Sequence, residues 1–159
     1  MNFKALSLVA AVLLVAACAD KPKEAASTAG SGETAPVATA ATASVQDQLK
    51  SVGDRIFFAF DKSDITAESQ ATLQKQAQLL SANPSVSVTI EGHCDERGTR
   101  EYNLALGERR ANATKQALIA LGVSASRLNT ISYGKERPAV PGHDESAWAQ
   151  NRRAVTVVN

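Results

Sequence analysis

The residues with the most chemical capacity are gathered in one run, EGHCDERGTREYNLALGERRANA, from Glu91 to Ala113. His93, Asp95, Glu96, Arg97, Arg100, Glu101, Glu108, Arg109 and Arg110 stand there around Gly98 and Gly107. The run begins at the end of a β-type segment and finishes inside a helical one. A charged loop between a strand and a helix is where a site, rather than a core, is expected. Enzymatic arrangements are hard to build from it. His93, Cys94 and Asp95 are adjacent, so along an extended chain they point to alternate sides and cannot all face one metal. A Cys–His nucleophile pair needs an oriented histidine. The only other one, His143, lies in a Pro-Gly-His-Asp loop with nothing to mark it. Asp95 and Glu96 as a glycosidase pair diverge for the same reason as the metal set. The chain reads as a non-enzyme, with neither a metal nor a cofactor expected.

Binding chemistry is easier to assemble. Asp95 lies just past a strand end, and Arg110 follows 15 residues later. With a helix starting near Tyr102, Arg110 sits about 12 Å along it, and Glu96–Glu101 is long enough to curl back over the first turns. An acid and a guanidinium then flank a small cleft. The carboxylate accepts from an ammonium, and the guanidinium grips a carboxylate through two parallel bonds. Unpaired N–H groups at the helix start favour an anion as well. The implied ligand is a zwitterionic amino-acid head. Two blander readings stand beside it: Asp95 and Arg110 simply pair with each other, or Glu108, Arg109 and Arg110 form a solvated helix face.

The elements that must position these residues follow from periodicity. Ile56–Phe60 is a short apolar run of β formers, stopped by Asp61-Lys62-Ser63-Asp64. Thr66 can cap a helix with Leu73, Ala77 and Leu80 on one face, ended by Asn83-Pro84. Val86, Val88 and Ile90 alternate with polar residues as a half-buried strand. A second helix runs from near Tyr102 to Leu121, stopped by Gly122, with Leu104, Ala111, Leu118 and Leu121 inward. Gly107 within it costs about 1 kcal/mol relative to alanine, which close packing or a site must offset. Leu128–Tyr133 makes a third strand, 134–147 reads as a loop, and Arg153–Val158 closes as a fourth strand. The order β-α-β-α-β-β implies crossovers and a mixed four-stranded sheet with helices on one face, an α+β two-layer sandwich.

The N-terminal part reads differently. Lys4 precedes a 13-residue apolar run, Ala5–Ala17, too short for the roughly 20 residues a membrane span needs but right for a signal peptide over 1–17. Val15-Ala16-Ala17-Cys18 resembles the lipobox of bacterial lipoproteins, which implies a lipid on Cys18. By that resemblance Ala19 points to sorting to the outer membrane. Residues 18–44 then form a lipidated cysteine and a disordered tether, since its Ala, Thr, Ser, Gly, Pro, Lys and Glu cannot bury enough to order themselves. Its flexible span is about 28 Å and its full stretch roughly 85 Å. The domain occupies 45–159. Cys94 has no partner within the mature chain, which excludes an internal disulfide framework. The net charge is +1, and Lys4 is the only charge in 1–17. Near-neutrality without a basic tract gives no support for nucleic-acid binding.

The runs FFAFDKSDIT, EGHCDERGTREYNLALGERRANA and SYGKERPAVPGHDESAWAQNRRAV, with the lipobox and tether, resemble the OmpA-like peptidoglycan-binding family and its lipid-anchored branch. The resemblance spans Ile56–Val158. It implies that Asp95 and Arg110 hold the free amino and carboxylate groups of meso-diaminopimelate in the peptidoglycan stem peptide. It further implies ligand contacts from Phe60, Asp61, Leu106 and the Arg97-Gly98-Thr99 loop. TolB and TolA of the Tol system are the implied protein partners, with TolB competing for an overlapping face, and the implied role is support of envelope constriction at division. An envelope protein-docking module with incidental peptidoglycan affinity is the alternative. Asn103 is expected to steady the loop-to-helix turn, and Asn151-Arg152-Arg153 to form a network within the fold. Trp148 and Tyr133 are expected to pack rather than stack. Cys94 departs from the family's usual small or polar residue, as an inert thiol or an oxidation site.

Overall fold

Every helix start that bears on the site is written in one side chain. Thr66 accepts from the Ser69 amide and begins helix α2, Ala67–Ala82. Thr99 accepts from the Tyr102 amide and begins α3, Arg100–Ala120, and Asp144 accepts from Ala147 to begin α4, Glu145–Asn151. Each side-chain oxygen satisfies an amide that has no partner within the helix. The computed structural model describes residues 37–159, with side chains from Ser44 onward. The expected signal peptide, Cys18 and most of the expected tether lie outside the described residues.

The strands are β1 (Arg55–Phe57), β2 (Val88–His93), β3 (Leu128–Gly134) and β4 (Arg153–Val158), in the sheet order β1-β4-β2-β3. β4 runs antiparallel to both β1 and β2, while β2 and β3 are parallel, joined by the α3 crossover. Leu73, Ala77 and Leu80 of α2 and Ala111 and Leu118 of α3 pack with Ile56, Val88, Ile90, Leu128 and Ala154 of the sheet in one core. The expected two-layer α+β sandwich with a mixed four-stranded sheet is the observed fold.

Four details differ from expectation. An additional helix, α1, covers Val37–Val52, so the last residues assigned to the tether are helical. It packs on α2 and β4, burying Val45 and Leu49, and Gln46 accepts from the Val158 amide at 2.7 Å. α4 lies across the end of the stretch read as a loop. β1 stops at Phe57: the Phe58 amide still bonds the in-register Arg152 carbonyl at 2.9 Å, but the Arg152 amide turns to Trp148 at the end of α4 instead of returning the bond, and the chain then turns through Phe60–Asp61. β2 begins two residues later than expected and runs on to His93, directly into the charged loop.

Gly92 and Gly107 explain how α3 comes so near the sheet. A Cβ on Gly92 would collide with the Gly107 carbonyl, and one on Gly107 would collide with the Ser132 hydroxyl. The helical glycine is therefore offset by close packing, and α3 delivers Leu106 and Arg110 to the end of β2.

Candidate functional site

Three segments converge where β2 ends. They are the turn after β1 (Phe60, Asp61), the loop after β2 (Cys94, Asp95, Arg97, Gly98) and the first half of α3 (Tyr102, Asn103, Leu106, Arg110). Together they line a cleft of about 170 Å³, room for about five waters at bulk density. Asp61 holds a left-handed backbone, φ 57°, which an aspartate tolerates better than most residues. Its carboxylate accepts from the Tyr102 hydroxyl, tying the β1 turn to α3. Phe60, at the tip of this turn, is 56% exposed.

Arg110 is 0% exposed, yet it belongs to the cleft wall. Its Nε donates to the Lys62 carbonyl at 2.9 Å, Nη1 to His93 at 2.8 Å and Nη2 to Ala59 at 3.1 Å. Among the described residues no carboxylate pairs with it. Burial lowers its pKa from the ordinary arginine value, partly opposed by the negative charge of its neighbours, Asp95 among them. A guanidinium has five N–H groups; these three carbonyls leave two, one on each Nη. A buried cation that lacks an anion is costly, and this one is held at a cleft wall. Neither blander reading of Arg110 describes it: it is not on a solvated face and it is not paired with Asp95.

Asp95, 4% exposed, faces it across the cleft with different partners. Its Oδ1 accepts from the Arg97 amide and Nε, each at 3.1 Å. Its Oδ2 accepts from Arg97 Nη2 at 2.6 Å and Arg152 Nη1 at 3.5 Å. Burial alone would raise the Asp95 carboxyl, but these hydrogen bonds and the charge of Arg97 outweigh it and hold it below the ordinary value. Arg97 in turn lies between two rings, 4.0 Å from the centroids of Phe60 and Trp148. Trp148 is thus a stacking platform for a guanidinium. So is Tyr133, beneath Arg137 at 3.6 Å. Both rings pack against guanidinium groups of the fold itself.

Of the residues expected at the site, Phe60, Asp61, Asp95, Arg97, Gly98, Leu106 and Arg110 all meet at the cleft. Thr99 does not line it; its hydroxyl is spent on the α3 cap. Asn103 does steady the loop, its Nδ2 donating to the Arg97 and Thr99 carbonyls at 2.8 and 3.0 Å, and it lines the cleft besides. Asn151, Arg152 and Arg153 form the expected internal network. Asn151 clamps Ala139 and Val140, Arg152 bonds the Phe58 carbonyl and Glu145, and Arg153 reaches Asn151 and Arg137. Cys94 is buried, its thiol donates to the Asn103 carbonyl at 3.3 Å, and burial raises its pKa against the pull of Arg110. That is a protonated, occupied thiol. Tyr102 was missed as a wall residue; its position three residues after the Thr99 cap was the available signal.

The outer rim is a latch. Glu96 accepts from the indole of Trp148 at 3.0 Å and meets His143 Nδ1 at 2.7 Å, while Lys135 donates to the Glu96 and Gly98 carbonyls. The hydrogen bond to Glu96 raises the His143 pKa from its ordinary value of 6.5.

Comparison with known proteins bears on what this cleft is for. Residues 57–152 match the OmpA family. The chain is 54% identical over 146 residues to the peptidoglycan-associated lipoprotein of Agrobacterium fabrum, covering 92% of this chain and 82% of that one. With the protein of the same name from Haemophilus influenzae the identity is 45%, covering 96% and 95%. The crystal structure of the peptidoglycan-associated lipoprotein from Burkholderia pseudomallei superposes with a TM-score of 0.65 at 47% identity, covering 67% of this chain and 90% of that one. The C-terminal domain of Helicobacter pylori MotB gives a TM-score of 0.59 at 20% identity, covering 65% and 84%, and shares the fold alone.

Proposed function

The chain belongs to the OmpA family and, within it, to the peptidoglycan-associated lipoproteins, and from that premise we propose that its cleft holds the zwitterionic head of meso-diaminopimelate in the stem peptide of peptidoglycan. The observation that carries this is Arg110. It is a buried guanidinium lining the cleft, with two of its five N–H groups not used by these carbonyls and no carboxylate partner among the described residues. An incoming carboxylate supplies the missing anion through two parallel bonds, and Asp95 across the cleft receives the ammonium. Phe60, Asp61 and Leu106 wall the aliphatic part, and the Arg97–Gly98 loop closes over it.

Binding of this kind is non-covalent and non-catalytic: the site presents complementary charge and leaves no nucleophile or base poised on a bond. With lipid on Cys18 and residues leading from it to the domain, the protein ties the outer membrane to the cell wall from the periplasmic side. TolB and TolA are the protein partners in this proposal, through which wall attachment is coupled to constriction at division. Among the described residues no helix is long and apolar enough to cross a membrane, so the proposed attachment rests on the lipid.

Asp95→Asn keeps the shape of the cleft while removing the Asp95 charge, and should weaken cosedimentation with purified sacculi at least tenfold, the scale of one charge-assisted bond. Unchanged cosedimentation would remove Asp95 from the site. Arg110→Ala is a poorer test, because it strips three buried carbonyls of their donor at about 1–3 kcal/mol each. The second reading, an envelope protein-docking module, is favoured by one feature. A groove of about 460 Å³ runs beside β1, at the edge of the sheet, with Phe57 45% exposed at its wall.

A further inference from the structure

A carboxylate offers about four lone-pair positions for hydrogen bonds, and four donors reach Asp95, the longest at 3.5 Å. Arg97 supplies three, through its amide, Nε and Nη2; Arg152 Nη1 supplies the fourth. An ammonium arriving at Asp95 therefore meets an acceptor already supplied with donors and must displace one. The two arginines are not equally free to yield. Arg152 is buried and fixed from behind by the Phe58 carbonyl at 3.0 Å and Glu145 at 2.6 Å. The Arg97 side chain is 31% exposed and makes no other hydrogen bond. Its remaining restraints are the pair of rings that sandwich it and a long ion pair to Glu145. Glu145, with Oε2 3.9 Å from Arg97 Nη2, is the carboxylate nearest to receive it once it leaves.

We infer that the Arg97 side chain is an internal competitor for Asp95, held in the ammonium position by Phe60 and Trp148, and that ligand binds only as this guanidinium is displaced. The inference rests on the reading of Asp95 as the ammonium acceptor. It differs from the expectation that Arg97 contacts ligand as part of the Arg97-Gly98-Thr99 loop, because here its side chain must first leave the ligand's position. A competitor that occupies the site most of the time reduces apparent affinity by the fraction of protein that is open. Removing it tightens binding. Trp148 is the only tryptophan in the chain, so its emission reports whether a guanidinium lies on its ring.

The test titrates the purified full-length chain with a muropeptide bearing a free meso-diaminopimelate head, by calorimetry and by tryptophan emission. Arg97→Gln should bind roughly tenfold tighter than wild type. Arg97→Lys, which cannot span both carboxylate oxygens, should fall between them. Ligand should change the emission of wild type but leave that of Arg97→Gln unmoved. Equal affinity in all three proteins, or weaker binding by Arg97→Gln in a sample whose circular dichroism and urea midpoint match wild type, would overturn the inference. So would wild-type emission that does not respond at saturation. If wild type itself shows no binding, the assignment of the cleft fails first and the inference with it; binding by wild type and loss in Asp95→Asn isolates the competitor claim.

Discussion

At the residue scale the cleft depends on two buried charges whose partners are unequal. Arg110 is enclosed and supported by carbonyls, whereas Asp95 is bonded by neighbouring arginines. An ammonium and a carboxylate thus enter different situations: the carboxylate fills a gap, and the ammonium must exchange with a donor. His93, beside this site, gives a pH prediction. Burial, reinforced by the charges of Arg153 and Arg137, lowers its pKa to about 4, and neither ring nitrogen has a hydrogen-bond partner. The unfolded chain takes up a proton near pH 6.5 and the folded chain does not, so stability is complete above that value and declines between 6.5 and about 4. The loss is about 3 kcal/mol. His143 acts in the opposite sense, since its raised pKa favours the folded state below 6.5, but its ring is exposed to solvent and weakly coupled to stability. Urea midpoints measured at pH 7.5, 5.5 and 4.5 should fall steadily, and His93→Asn should flatten most of that slope.

At the element scale the site is made by how closely α3 approaches β2. Gly92→Ala places a methyl on the Gly107 carbonyl and should cost about 1–3 kcal/mol or more, read from the urea midpoint. A variant within 0.5 kcal/mol of wild type, the usual scale for an uncrowded surface site, would contradict the close packing. The periodic elements were legible: Leu73, Ala77 and Leu80 spaced for α2, Val88 and Ile90 alternating in β2, and Thr66 and Gly122 as start and stop signals. α4 was not, because seven residues make about two turns, too few to be stable alone. Its Asp144 cap stood among Pro138, Pro141 and Gly142, which read as loop. α1 was hidden because the Ala and Thr of Val37–Ser44 carry no apolar stripe; among its described side chains, the buried ones are Val45 and Leu49. Within the site, sequence spacing brought Asp95 and Arg110 to one cleft. It did not show that Arg97 would reach back two residues to take Asp95, since that bond depends on Phe60 and Trp148 closing from both sides. Nor did it separate Thr99, a cap, from the wall residues next to it.

At the scale of the whole molecule the proposed function joins a lipid at Cys18 to a wall-binding cleft built from residues between Phe60 and Arg110. Cys18→Ser should leave the protein in the soluble periplasmic fraction after cell fractionation; persistence in outer-membrane fractions would contradict the proposed anchor. The central claim is narrower, that the cleft recognises one free amino-acid head by both of its charges. It is tested most directly on the unaltered protein, by calorimetric titration with a muropeptide carrying free meso-diaminopimelate and with the same muropeptide amidated at that head. Amidation removes the anion that Arg110 lacks, and binding should weaken at least about thirtyfold, the scale of an unpaired buried charge. Equal affinity for the two muropeptides would contradict the account.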